Sequence, residues 1–77
     1  MKKIMELKKT ETMKDFLEKN VGNKLDLILK NGIIYSCIIQ TIGLSYVHVE
    51  LVGERSFFNA IIRIEDISAI EFQVRKS

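Results

Sequence analysis

The sequence predicts a mainly β fold, in which one short N-terminal α-helix precedes five strongly bent antiparallel strands that make a small barrel. Three observations lead there. Between residues 24 and 74 lie five consecutive short strand-like stretches, most of them alternating apolar and polar residues and the second apolar in both phases. The connections between these stretches are only a few residues long, too short for the crossover helices of a parallel sheet. Ahead of them, Met13, Phe16, Leu17 and Val21 recur at the spacing of one helix face.

The helix opens at Thr12, which with Asp15 three residues on makes a capping-box-like start. Gly22 supplies the left-handed residue expected to end it. The first strand runs over residues 24–30, with Leu25, Leu27 and Leu29 on the core face. Asn31-Gly32 then tolerates the positive backbone angles of a tight hairpin turn. The returning strand, 33–42, is apolar in both phases: Ile33, Tyr35, Cys37 and Ile39 alternate with Ile34, Ile38 and Ile42. Such a strand is buried on both sides or bends from one sheet into another, and in a small barrel the bend is expected.

Gly43-Leu44-Ser45 makes the next short connection. A third strand, 46–52, turns Val47, Val49 and Leu51 inward and Tyr46, His48 and Glu50 outward. Gly53-Glu54-Arg55 leads into a fourth strand over 56–64, in which Phe57 and Phe58 should face opposite sides, one of them toward the core. Glu65-Asp66 leaves room only for a tight corner before a fifth strand over 67–74, with Ile70, Phe72 and Val74 on one face.

Composition restricts the function classes. A chain of 77 residues makes one domain and buries only about 60% of its unfolded surface, so its core needs support. With one cysteine and one histidine there is no intramolecular disulfide and no metal-ligand spacing, which leaves oligomerisation as the expected support. No cofactor is expected. The sequence shows no catalytic triad, paired-carboxylate site or phosphate-cradling glycine loop, and the expectation is a protein that is not an enzyme. No apolar run reaches membrane-spanning length and the N-terminus lacks a signal-peptide h-region, so a reduced, cytoplasmic protein without a membrane partner is expected.

Charge divides the chain in two. Residues 1–9 form a basic tail in which Lys2, Lys3, Lys8 and Lys9 stand against Glu6, whereas the barrel domain, 10–77, sums to −1. Sequence-independent affinity for nucleic acid comes mostly from lysine and arginine meeting phosphates, and only the tail supplies them densely.

Two segments resemble motifs of the Sm-like family, the group that includes the Hfq-type RNA chaperones. Leu27-Ile28-Leu29-Lys30-Asn31-Gly32-Ile33 is similar to the first Sm motif, and residues 62–70, with Arg63 at the corner, are similar in spacing to the second. The resemblance covers roughly residues 12–74. It implies an N-terminal helix on an SH3-like, five-stranded barrel. It also implies a homo-oligomeric ring of six or seven copies, closed by pairing the fourth strand of one copy with the fifth of the next. The implied function is binding of single-stranded RNA as a chaperone or regulator.

Carried onto this sequence, the family's site places Tyr46 where a base is held, Arg63 where phosphate or a base is met, and Asp66 where the second motif has Asn. Apart from the resemblance, Lys2, Lys3, Lys8 and Lys9 read as a solvated end, as an electrostatic arm for nucleic acid that would join this site, or as a membrane-surface contact. Cys37, Gly43, Val47 and Ile64 stand at the motifs' Gly, Asp, Asn and Gly positions. Those replacements motivate the alternative reading, a small barrel acting as a protein-interaction or assembly module without RNA binding. His48 reads as a surface residue, Cys37 as a small buried hydrophobe, and the exposed phenylalanine of the pair as a subunit or partner contact.

Overall fold

The computed structural model describes residues 11–73. Lys2, Lys3, Lys8 and Lys9, together with Val74, lie outside the described residues. Helix α1 spans Met13–Glu18, and strands β1 (Lys24–Leu29), β2 (Ile34–Ile42), β3 (Tyr46–Leu51), β4 (Asn59–Arg63) and β5 (Ile67–Glu71) follow. One-turn 3-10 helices sit at Gly53–Arg55 and Ile64–Asp66.

The capping box forms at the helix start. Thr12 Oγ1 accepts from the Asp15 amide at 3.0 Å, and Asp15 Oδ2 accepts from the Thr12 amide at 3.1 Å. Six residues are too few to hold a helix alone, and Phe16 and Leu17 anchor it by burial. Val21 does not continue that face. The helix ends at Glu18, and Val21 lies half exposed in the following turn. The reason is Asn20, whose buried Nδ2 donates to the Phe16 carbonyl at 2.8 Å and closes the last turn early. Gly22 then takes a φ of +88° and donates its amide to the Ile39 carbonyl, carrying the chain onto the sheet.

The five strands form one antiparallel sheet in the order β4-β3-β2-β1-β5. Thus β4 and β5, neighbours in sequence, are the two edges. From Arg63 to Ile67 the chain has four Cα steps, at most about 15 Å, while four strand spacings of a flat sheet are about 19 Å. The sheet must therefore curl. Hydrogen bonds do not complete the barrel: β4 pairs with β3 and β5 with β1, and the sheet is open between them.

Strand β2 turns the corner foreseen for it. Its first half pairs with β1, its second with β3, and the register shifts between Ile39 and Thr41. That bulge exchanges the faces, so Cys37 and Ile39 are core before it and Ile42 packs on the core after it. A second shift, at Ile28/Leu29 in the β1–β5 pairing, has the same effect on the far side and lets both Ile67 and Ile70 face inward. Leu17 from the helix, Leu25 and Leu27 from β1, Val47, Val49 and Leu51 from β3, and Ile62 from β4 complete the buried cluster.

Two turns differ from expectation. At Asn31-Gly32 only Gly32 has a positive φ, +92°. The Leu29 amide donates to the Ile33 carbonyl and the Gly32 amide to the Leu29 carbonyl, so the loop is three residues long, Lys30 to Gly32, rather than two. Asn31 contributes through Oδ1, which accepts from the Ile33 amide at 3.0 Å. The fourth strand starts at Asn59 rather than Ser56, because Gly53–Arg55 winds into a 3-10 turn and the Phe58 amide returns to the Arg55 carbonyl. Strand alternation does not reach Phe57, and neither phenylalanine is core: Phe57 is 97% exposed and Phe58 57%.

Candidate nucleic-acid interface

The hairpin of β3 and β4 brings the two principal site residues together. Tyr46 at the start of β3 lies directly across from Arg63 at the end of β4, both on the outward phase of their strands. The alternation sends Val47 and Ile62, the next cross-strand pair, into the core, which fixes the outward direction of Tyr46 and Arg63.

Backbone bonds hold the surrounding loops. The Gly43 amide donates to the Tyr46 carbonyl at 2.7 Å and closes the Leu44-Ser45 turn, while the Ile64 amide donates to the Ser45 carbonyl at 2.8 Å. The Lys30 amide donates to the Asp66 carbonyl at 2.8 Å, tying the β1–β2 loop to the same corner. A hollow results, lined by Leu44, Ser45, Tyr46, Arg63, Ile64 and Glu65 together with Met13 and Ile67. An aromatic ring, a guanidinium and free rim space suit a stacked base with an adjacent phosphate.

The charges at this corner oppose one another. Arg63 Nη1 lies 3.3 Å from Glu65 Oε2, and Arg63 Nε lies 4.0 Å from Asp66 Oδ2. Asp66 above all, with Tyr46 and Glu65, raises the pKa of the Arg63 guanidinium. These pairs are half exposed and worth little to stability. Their effect on a ligand is larger: a phosphate reaching Arg63 must displace Glu65 or share the cation with it. Asp66 thus sits at the site as the partner of Arg63.

Residues 11–73 carry six basic side chains against nine acidic ones, a net charge of −3. Attraction for a polyanion must come from the ends of the chain, where Lys2, Lys3, Lys8 and Lys9 stand. The remaining singled-out residues lie apart from the hollow. His48 is half-buried in β3 opposite Thr41 and Ile61, and Cys37 is buried, with its thiol pushed up to about 11 by burial and by Asp26. Among the described residues, no group of three or more His, Cys, Asp and Glu side chains could hold a metal ion.

Sequence reasoning missed one member of the site, Leu44, which is 91% exposed at the rim, whereas the pairing of Arg63 with Glu65 or Asp66 at the turn was one of its two readings of that arginine. The signal for Leu44 was present, since a large aliphatic residue between Gly43 and Ser45 in a turn has no core to enter. In comparisons with known proteins, the sequence matches no family model and no curated protein.

Proposed function

We propose that this chain is an Sm-like domain that assembles into a ring and binds single-stranded RNA. One observation carries the reading: the cross-strand juxtaposition of Tyr46 and Arg63 on the outward face, beside the hollow formed by the Leu44-Ser45 turn and the Ile64–Asp66 corner. Tyr46 stacks on a base, Arg63 meets the neighbouring phosphate, and the lysine tail adds sequence-independent attraction. The strand order, with β4 and β5 at opposite edges of a curled sheet, supports assembly through those edges.

Filter binding of uridine-rich and adenine-rich RNA at two salt concentrations tests the proposal. Binding at low salt that weakens about fivefold or more in Tyr46→Ala, since one lost stacking contact costs roughly 1–3 kcal/mol, and that also weakens in Arg63→Ala, is the expected result. Absence of binding at low salt would falsify it. A second reading, a protein-interaction module without RNA binding, is favoured by the engagement of Arg63 with Glu65 and Asp66. Under that reading neither substitution has an RNA affinity to change.

A further inference from the structure

The β5 side of the molecule carries two unsatisfied surfaces, one apolar and one ionic. On the core side, Met13 and Phe16 of α1, with Ile70 of β5 and Phe72 just beyond it, line an open groove of about 270 Å³, and the Phe16 and Phe72 ring centroids lie 5.8 Å apart. A cavity of roughly 150 Å³ already takes a benzene ring, so this groove has room for two aliphatic side chains. On the outer side, Glu71 stands directly across from Asp26 of β1. Both point away from the core, because Leu25, Leu27 and Ile70, their neighbours in sequence, point toward it. Like charges directly opposite one another on a sheet repel. Neither carboxylate forms an ion pair with another described residue, and Lys24, exposed two residues along β1 on the same face, is paired with neither. Among the described residues β5 pairs only with β1, which leaves its other backbone edge open.

We infer that residues 5–8 of this chain lie along the β5 edge, with Met5 and Leu7 in the groove between α1 and β5 and Lys8 beside Glu71. The segment before Glu11 enters at the groove itself, since Glu11 and Thr12 are among its lining residues. Leu7 is four Cα steps from Glu11, at most about 15 Å, so it reaches the groove without crossing the molecule. Met5-Glu6-Leu7-Lys8 alternates apolar and charged residues, and alternation along a sheet edge sends one set to each face. Apolar residues then meet the groove, while Lys8 meets the face on which Glu71 and Asp26 repel.

Charge points to the same occupant. Residues 1–10 hold four lysines against one glutamate, whereas residues 11–73 carry a net charge of −3. The other end of the chain, residues 74–77, holds a single apolar residue, Val74, and cannot fill a groove with room for two. The contact requires neither RNA nor a ring. By covering β5 it withholds one of the two edges through which the proposed ring closes, and the segment must leave that edge before another copy pairs there.

A nitroxide on Glu6→Cys in the full chain, read by nuclear magnetic resonance, tests the placement. Cys37 is buried and takes no label. The chain carrying both the nitroxide and the nitrogen-15 label is diluted in about a tenfold excess of unlabelled wild type, so that the signal reports contacts within one copy. The expected result is that amide signals of residues 69–73, Met13 and Phe16 lose about half or more of their intensity, and more than any in β3. Met5→Ser with Leu7→Ser should restore them, and Glu71→Lys should reduce the loss. Broadening that is absent, uniform over the surface, or unchanged in Met5→Ser with Leu7→Ser overturns the inference. With isotope and nitroxide on different copies, loss of the same signals assigns the groove to a second copy's segment and overturns the placement within one chain. An unchanged loss in Glu71→Lys overturns the Lys8 contact.

Discussion

Asn20 is the buried polar side chain among the described residues, at 2% exposure, and it makes two bonds. It donates through Nδ2 to the Phe16 carbonyl, and its Oδ1 accepts from Asn23 Nδ2 at 3.0 Å. Asn20→Ala leaves both partners without that side chain, one of them a helix-end carbonyl. A loss of roughly 1–3 kcal/mol is expected, read as a lower urea midpoint with an unchanged slope. Cys37 gives a pH-dependent prediction. Its folded pKa, about 11, lies above the ordinary 9.0, so between these values the unfolded chain loses its thiol proton while the folded protein keeps it. Stability contributed this way is intact below pH 9 and is lost as the pH rises toward 11, by up to roughly 2–3 kcal/mol. Thermal melts of wild type and Cys37→Ala at pH 8 and pH 10.5 should show a steeper alkaline decline in the wild type, and parallel declines would sink the assignment.

At the scale of the element, the helix depends on its cap and its two anchors. Thr12→Ala removes a reciprocal pair of bonds from a helix of only six residues, and a cost of about 0.5–2 kcal/mol is expected in chemical denaturation. The β1–β2 loop isolates a backbone effect. No atom lies within 4 Å of a Cβ built on Gly32, so Gly32→Ala meets no clash and costs only the left-handed conformation, about 1–2 kcal/mol. Gly43→Ala is the comparison, because Gly43 has no positive φ and its new Cβ would meet the Tyr46 carbonyl oxygen at an ordinary 3.4 Å. If the two substitutions cost the same, the strain account of Gly32 is wrong.

For the whole molecule, the opposition between an acidic body and a basic tail sets the ionic behaviour. Replacing Lys2, Lys3, Lys8 and Lys9 by serine should flatten the plot of log affinity for single-stranded RNA against log salt by up to about 3, since each phosphate contact contributes roughly 0.7. An unchanged slope would remove the tail from the interface. Assembly through the β4 and β5 edges predicts a Tm that rises with protein concentration, because a small core gains its support by mass action.

The sequence alone determined the helix start, the inward faces of β1 and β3, and the bend of β2. These follow from local chemistry: Thr12 with Asp15, the alternation Leu25-Leu27 and Val47-Val49-Leu51, and an isoleucine-rich strand with no polar phase. It misread Val21 and the expectation that one of Phe57 and Phe58 is core, because Asn20 closes the helix through a buried bond and the 3-10 turn at Gly53–Arg55 delays the fourth strand to Asn59, and neither is visible in a pattern of apolar residues. Of the site, Tyr46 and Arg63 were legible as separate residues at loop and corner. Tertiary structure alone decided that they stand opposite each other, since cross-strand register arises from pairing between segments sixteen or so residues apart in the chain. It also decided between the two readings of Arg63 by pairing the guanidinium with Glu65 and Asp66, and it decided that the sheet curls without closing, leaving β4 and β5 as its edges.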